Sequence, residues 1–297
     1  MRVQNSATST KPVAVRTGTA LAALGVLGFS FSLPATAWAL DGFGPWTVTA
    51  VRCALAGLLA AVALRVARVP LPDRRQIAPI LVVALGCVVL FPLLSTLALQ
   101  TTSTGNAAVI VGAMPIATAA YAAVSTGVRH SPVFWAAAVA GTAVVVAFTF
   151  LRSGGVPSTG DLYMIGAVVG GAAGYAEGGR LAARTPGWRV IAWALVCSLP
   201  VSVPASALAL ALEPAHPTPT AVTGLAYLVL ISQFAGFAAW YGGMAIIGVA
   251  RGSQLQLAQP VLTLSWAVLL LGEPLTPSAP IAAVAVLVCI IVTQRVR

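Results

Sequence analysis

Long apolar runs, each ended by a short polar or basic stretch, recur ten times along this chain. They cover residues 18–40, 45–67, 77–99, 106–127, 132–151, 161–183, 188–210, 221–244, 252–272 and 278–294. A bilayer's hydrocarbon core is about 30 Å thick and takes a helix of about 20 residues to cross it, a length that most of these runs reach. Lipid cannot satisfy free backbone amides, so each run is predicted to be helical. Barrel strands would alternate apolar and polar residues over about 10 positions, and these runs do not alternate. The pattern predicts an all-α polytopic membrane protein with ten transmembrane helices.

The polar positions orient those spans. With the N-terminus on side one, that side collects Arg2, Lys11, Arg16, Arg65, Arg68, Arg74, Arg75, Arg129, Arg180, Arg184, Arg189, Arg251, Arg295 and Arg297, fourteen of the sixteen basic residues. Only Arg152 falls in an opposite loop, and Arg52 falls inside a span. This positive-inside asymmetry predicts a multi-pass protein of the cell membrane with both termini cytoplasmic.

Composition agrees, and it narrows the partners. Charged residues make up 7% of the chain and the mean hydropathy is +0.96, where soluble domains carry about 25% charged residues. The net charge of +10 follows from topology and from attraction to anionic headgroups. Nucleic acid is not an expected partner, because the basic residues are scattered and have no aromatics between them. Cys53, Cys87, Cys197 and Cys289 sit one to a span, without disulfide or metal spacing. His130 and His216 lie in loops on opposite sides. No metal and no cofactor are therefore expected. The expected partners are the lipid bilayer, a small-molecule substrate and, for a coupled carrier, protons, with the chain a monomer or homodimer. Lys11, Arg16 and the small residues at 35–39 look like a secretory leader, yet the repeat described next needs this helix, so a retained first span is expected.

Five spans per half is an odd number, so an internal duplication must be inverted across the membrane. Gly44-Pro45-Trp46 opens span two and Pro186-Gly187-Trp188 opens span seven, while Met114-Pro115 in span four answers Gln259-Pro260 in span nine. The expected layout is a cytoplasmic tail 1–16, a first five-helix repeat 17–151, a linker 152–160 and a second repeat 161–297. Inverted repeats are common in secondary transporters, with substrate held near the midplane where the halves meet.

The stretch from Pro260 through Leu-Gly-Glu273 to Thr276 resembles the closing motif of the drug/metabolite transporter superfamily, EamA type. Arg52, the Asn106 to Pro115 stretch and Tyr175 to Arg180 also resemble positions that family uses. The resemblance covers residues 17–294. It implies two inverted five-helix repeats around a central cavity, and export of small organic metabolites or amino-acid-like compounds. One departure stands out: the first half reads Ser125-Thr-Gly-Val-Arg129 where the family motif has a second Gly-Glu.

The candidate residues follow from intramembrane polarity. Gly166, Gly170, Gly174 and Gly178 recur every four residues in span six, the small-residue spacing that lets helices approach closely. Glu177 is the carboxylate within a span; it reads as a partner for Arg180 or Arg184, as a cation contact or as a proton carrier. Arg52 reads as snorkelling outward, as binding a substrate carboxylate or, the favoured expectation, as pairing with Asp41 or Glu273. Glu273 itself is expected to brace the external side. Gln254, Gln256, Gln259, Pro260 and Thr263 in span nine, with Met114 and Pro115 in span four, are cavity candidates, because a proline frees a carbonyl. Tyr175, Trp240 and Tyr241 would add aromatic walls, and Pro34 would kink span one near Ser30, Ser32 and Trp38.

No phosphate-binding loop, His-Glu-x-x-His or Gly-x-Ser-x-Gly motif is present, so the chain is not expected to be an enzyme. The sequence predicts a secondary active carrier working by alternating access, coupled to protons or running by exchange. The alternatives are a passive facilitator or channel and a non-transporting membrane assembly component.

Overall fold

The computed structural model describes residues 12–127, 131–152, 157–248, 252, 255–274 and 277–295, and the regular structure of those residues is helical, without strands. Arg2, Lys11, Arg129, His130, Arg251, Gln254, Thr276 and Arg297 lie outside the described residues. Among the described residues, six helices are long and apolar enough to cross a bilayer: Ala14–Leu40, Pro45–Val66, Arg74–Ala98, Thr104–Thr126, Gly187–Leu212 and Pro219–Ile247. These are spans one, two, three, four, seven and eight. Pro132–Arg152, Thr159–Ala182, Ala258–Leu271 and Ser278–Arg295 supply spans five, six, nine and ten. Span six is long but diluted by Asp161, Glu177, Arg180 and its glycines. It tolerates that composition because protein covers it: Met164, Ala167, Val168 and Ala172 are all buried. Span two shows lipid the opposite face, with Leu55, Leu58 and Val62 exposed.

The ends of the spans are written locally. Pro45 opens span two from the first helical position, where its missing N–H is not needed. Ser158 and Asp161 close a reciprocal capping box at span six. Gly127 and Gly272 end spans four and nine with φ of 67° and 65°, the left-handed cap that glycine adopts without a Cβ clash.

The packing repeats across a pseudo-two-fold axis. Span two packs on span seven, span five on span ten and span four on span nine. Span one packs on span eight as span six packs on span three. Local irregularities repeat too. Spans three and eight each widen into a π-helical segment, Ala84–Leu90 and Leu228–Ala235. Spans four and nine each break, at residues 112–113 and 256–257.

Glycines set the closeness of the crossings. A Cβ on Gly166 would meet Leu94 Cδ1 at 3.1 Å, one on Gly170 would meet Leu90 Cβ at 3.2 Å, and one on Gly174 would run into the Cys87 side chain, with its backbone N at 3.1 Å. These three glycines therefore face span three. Gly178 lies against the Tyr241 ring of span eight instead. Small residues at such crossings bring backbones into dispersion contact where no hydrophobic drive exists.

A graded response to added volume follows. Gly174→Val meets backbone, so it is expected to destabilise by about 1–3 kcal/mol. Gly166→Ala meets only a flexible leucine tip and should be nearly neutral. Thermal unfolding of the purified protein in detergent checks this; equal melting temperatures for the two variants would contradict the packing described.

Candidate substrate site

Prolines within the spans expose carbonyls, and other spans supply the donors. Pro34 cannot donate to the Ser30 carbonyl four residues earlier; Thr263 Oγ1 of span nine donates to that oxygen instead, at 2.7 Å. Pro92 likewise leaves the Val88 carbonyl of span three, which accepts from Gln233 Nε2 at 3.3 Å and from Cys53 Sγ at 2.9 Å. Pro115 removes the i+4 donor of Val111 at the break in span four. In span nine, with Pro260 in place, the Gln256 carbonyl accepts from Gln259 N at 3.0 Å, a tighter turn.

Chain neighbours of these groups line a small, largely enclosed cavity of about 30 Å³, room for about one water. Arg52, Ser32, Ser232, Gln256 and Gln259 bring polar groups to it, and Phe29, Phe237, Tyr175 and Met114 give it apolar walls. Phe29 and Phe237 rings stand 4.7 Å apart, and Tyr175 lies 5.8 Å from Phe237.

Arg52 is the centre of the polar network. It lies roughly 10 Å into span two at 1.5 Å per residue and is only 3% exposed. Its Nε donates to Gln233 Oε1 at 2.7 Å and its Nη2 to Ser232 Oγ at 2.9 Å. Ser232 Oγ also lies 2.7 Å from Ser32 Oγ of span one. The π-helical segment of span eight supplies both partners; such segments shift side-chain register and recur at functional sites. Arg52 thus reaches neither Asp41 nor Glu273, which corrects the pairing expected from sequence. Asp41 is exposed, and Glu273 is engaged elsewhere.

Glu273, at the end of span nine, accepts from the backbone N–H groups of Thr104 and Gly105 at 2.9 Å each. Glu213, at the end of span seven, accepts from Trp46 N at 3.2 Å and Thr47 N at 2.7 Å. Each carboxylate caps the start of a first-half span from the second half, favoured by the positive end of the helix dipole. At the basic end, Glu177 pairs with Arg180 and accepts from Tyr121 Oη at 3.3 Å. It borders a cleft of about 1010 Å³ shared with Asp73, Arg74, Arg75, Gln76 and Arg184.

Of the sequence candidates, Met114, Tyr175, Gln256 and Gln259 line the cavity. Pro115 and Pro260 act through the backbone. Ser30 is tied up by Leu27 O and by Trp266 Nε1. Trp38 stacks on Phe31 and does not line the cavity. Trp240 packs against Phe29 and Tyr175, and Tyr241 Oη donates to Gly174 O at 3.2 Å; both stand behind the wall. Sequence reasoning named Ser32 only beside the kink at Pro34, and it missed Ser232 and Gln233. The last two had a signal, a polar pair inside the apolar run Leu-Val-Leu-Ile-Ser-Gln-Phe-Ala.

The profile of the EamA-like transporter family matches residues 16–150 and again 158–294. An uncharacterized transporter of Bacillus subtilis (strain 168), YdeK, is 40% identical over 272 residues, covering 92% of this chain and 95% of the relative. The uncharacterized protein PA1977 of Pseudomonas aeruginosa is 43% identical over 67 residues, 22% of this chain and 23% of that protein. A solved crystal structure superposes with a TM-score of 0.66 at 20% identity, covering 93% of this chain and 97% of that one, a likeness of fold alone.

Glu273→Ala removes the acceptor for two helix-start amides and should cost about 0.5–2 kcal/mol, the range for a lost N-cap. Glu273→Gln, which keeps one acceptor oxygen, should lose less. Melting temperatures in detergent report the order; an alanine variant as stable as the parent would mean that the carboxylate does not brace span four.

Proposed function

The chain belongs to the EamA-like transporter family, and from that premise we propose a secondary active carrier that exports small organic metabolites or amino-acid-like compounds by alternating access. It is a multi-pass membrane protein and a transporter of small solutes, not an enzyme. The observation that carries the finer reading is the small cavity where spans of both halves meet, bordered by Arg52, Ser32, Ser232, Gln256 and Gln259. A channel needs a continuous path, and a purely structural bundle would fill its middle with apolar side chains. A small, largely enclosed compartment between interlocked repeats, with a few polar groups among apolar walls, suits a carrier that opens to one side at a time.

The basic end is proposed to face the cytoplasm of the cell membrane, with both termini there. The cleft beside Arg74, Arg75 and Arg184 would then be the cytoplasmic approach, which supports loading from within. Reporter fusions at the two ends should register the same, cytoplasmic compartment; an external signal from either end contradicts that orientation.

Exchange needs no titrating side chain. Proton coupling does, and Glu177 is the intramembrane carboxylate beside an aqueous cleft. The test uses proteoliposomes preloaded with a metabolite extract, with counterflow read by mass spectrometry. Saturable exchange of particular solutes is expected, and equilibration with no counterflow would favour the passive rival. Glu177→Gln should abolish pH-gradient-driven accumulation while leaving counterflow intact; an unchanged response to the gradient removes Glu177 from coupling.

A further inference from the structure

We propose that Arg52 anchors an anionic group of the transported solute and that Gln259 accepts a hydrogen bond from the same molecule, so that the cargo is a small organic acid bearing an N–H or O–H donor. This deepens the carrier reading and rests on it.

The argument begins with charge. The chain holds six acidic residues, and all six are described. Asp41 is exposed. Asp73 caps span three and Asp161 caps span six. Glu177 pairs with Arg180. Glu213 and Glu273 cap spans two and four. No protein carboxylate is left for Arg52, although it is buried in the middle of the bundle. Its hydrogen-bond partners, Ser232 and Gln233, are neutral. Guanidinium keeps its proton under all ordinary conditions, so the network carries a full, uncompensated positive charge beside the cavity. Buried charges are paired as a rule, and within spans an unpaired one marks a substrate pathway. The cavity of about 30 Å³ must widen to admit a solute; an anion taken in as it widens supplies the missing partner, and a carboxylate matches the planar fork of guanidinium donors.

A second group points the same way. Gln259 is 7% exposed and lines the cavity, and its side-chain oxygen has no hydrogen-bond partner among the described residues. An unmet buried acceptor destabilises the empty protein and is relieved by a donor on a ligand. Anion anchor and free acceptor border one cavity, whose apolar walls include Phe29, Phe237, Tyr175 and Met114. The solute so described has an acid group, a nearby donor and an apolar portion.

Matched acid and amide pairs test this: glycolate against glycolamide, L-serine against L-serinamide, and L-phenylalanine against its amide, each offered to the wild-type protein in counterflow and thermal-shift assays. At least one acid should exchange and stabilise the protein while its amide does neither. Arg52→Gln should raise the half-saturating concentration of the acid about tenfold or more and narrow the gap between acid and amide. Because that variant also loosens the tie to span eight, Gln259→Leu provides the independent arm. It should melt at the same temperature as wild type or higher without solute, and bind the acid more weakly. That opposition is not expected of a side chain that only holds the fold together. Acids and amides handled alike, or Gln259→Leu losing stability while keeping affinity, would overturn the proposal. A protein that exchanges solutes from the metabolite extract but none of the acids overturns the anchor alone; one that exchanges nothing from the extract brings down the carrier reading as well.

Discussion

Hydrocarbon offers no hydrogen bonds, so any span that breaks its own backbone ladder must be repaired by another span. That constraint organises the centre of this protein. Pro34 releases a carbonyl that Thr263 satisfies from the other half, and Pro92 releases one that Gln233 satisfies, also from the other half. Both carbonyls are thus met from across the pseudo-two-fold axis, with Cys53 of the same half also donating to that of Val88, so bonds that make interrupted helices tolerable also join the repeats.

Arg52 draws its position from the same logic. Span eight widens into a π-helical segment and presents Ser232 and Gln233 side by side, giving the guanidinium two neutral acceptors rather than a counter-ion. The acidic residues that would neutralise it are spent at helix ends, where Glu213 and Glu273 hold the non-basic face of the bundle closed. Charge is thus left in the middle and bracing is placed at one end. The glycine faces of span six permit close approach to span three, and the mirrored contact of span one with span eight puts Gly25 against Trp240. Smooth crossings of this kind suit halves that move against each other.

Much of the fold was legible from hydropathy, because the bilayer imposes length and apolarity on every span. Basic residues on alternate loops gave the expected orientation, and Pro115 with Pro260 pointed to the repeat. Span six shows the limit of composition: its polar and glycine-rich sequence is affordable only because other spans cover it, and hydropathy does not see neighbours. The site was legible in part. Gln256 and Gln259 stood out as polar residues on one helical face and do line the cavity, whereas Trp38 was drawn in by residue type and sits elsewhere. Arg52 was recognised but given the wrong partner, since sequence distance says nothing of the π-helical register that swings Gln233 toward it. Ser30 and Ser32 both stood out beside the expected kink at Pro34, and which of the two borders the cavity depends on the turn at Phe31.

The account stands on the enclosed cavity being reachable from each side of the membrane in turn. Cys87 borders it, so a variant with Cys53, Cys197 and Cys289 replaced by alanine carries a single reporter thiol there. Labelling with a membrane-impermeant thiol reagent, applied to right-side-out and to inside-out vesicles, measures that access directly. The account predicts modification from both faces, slowed from both by a saturating transported solute. A thiol that stays inert from both faces, while the variant still transports, would contradict it.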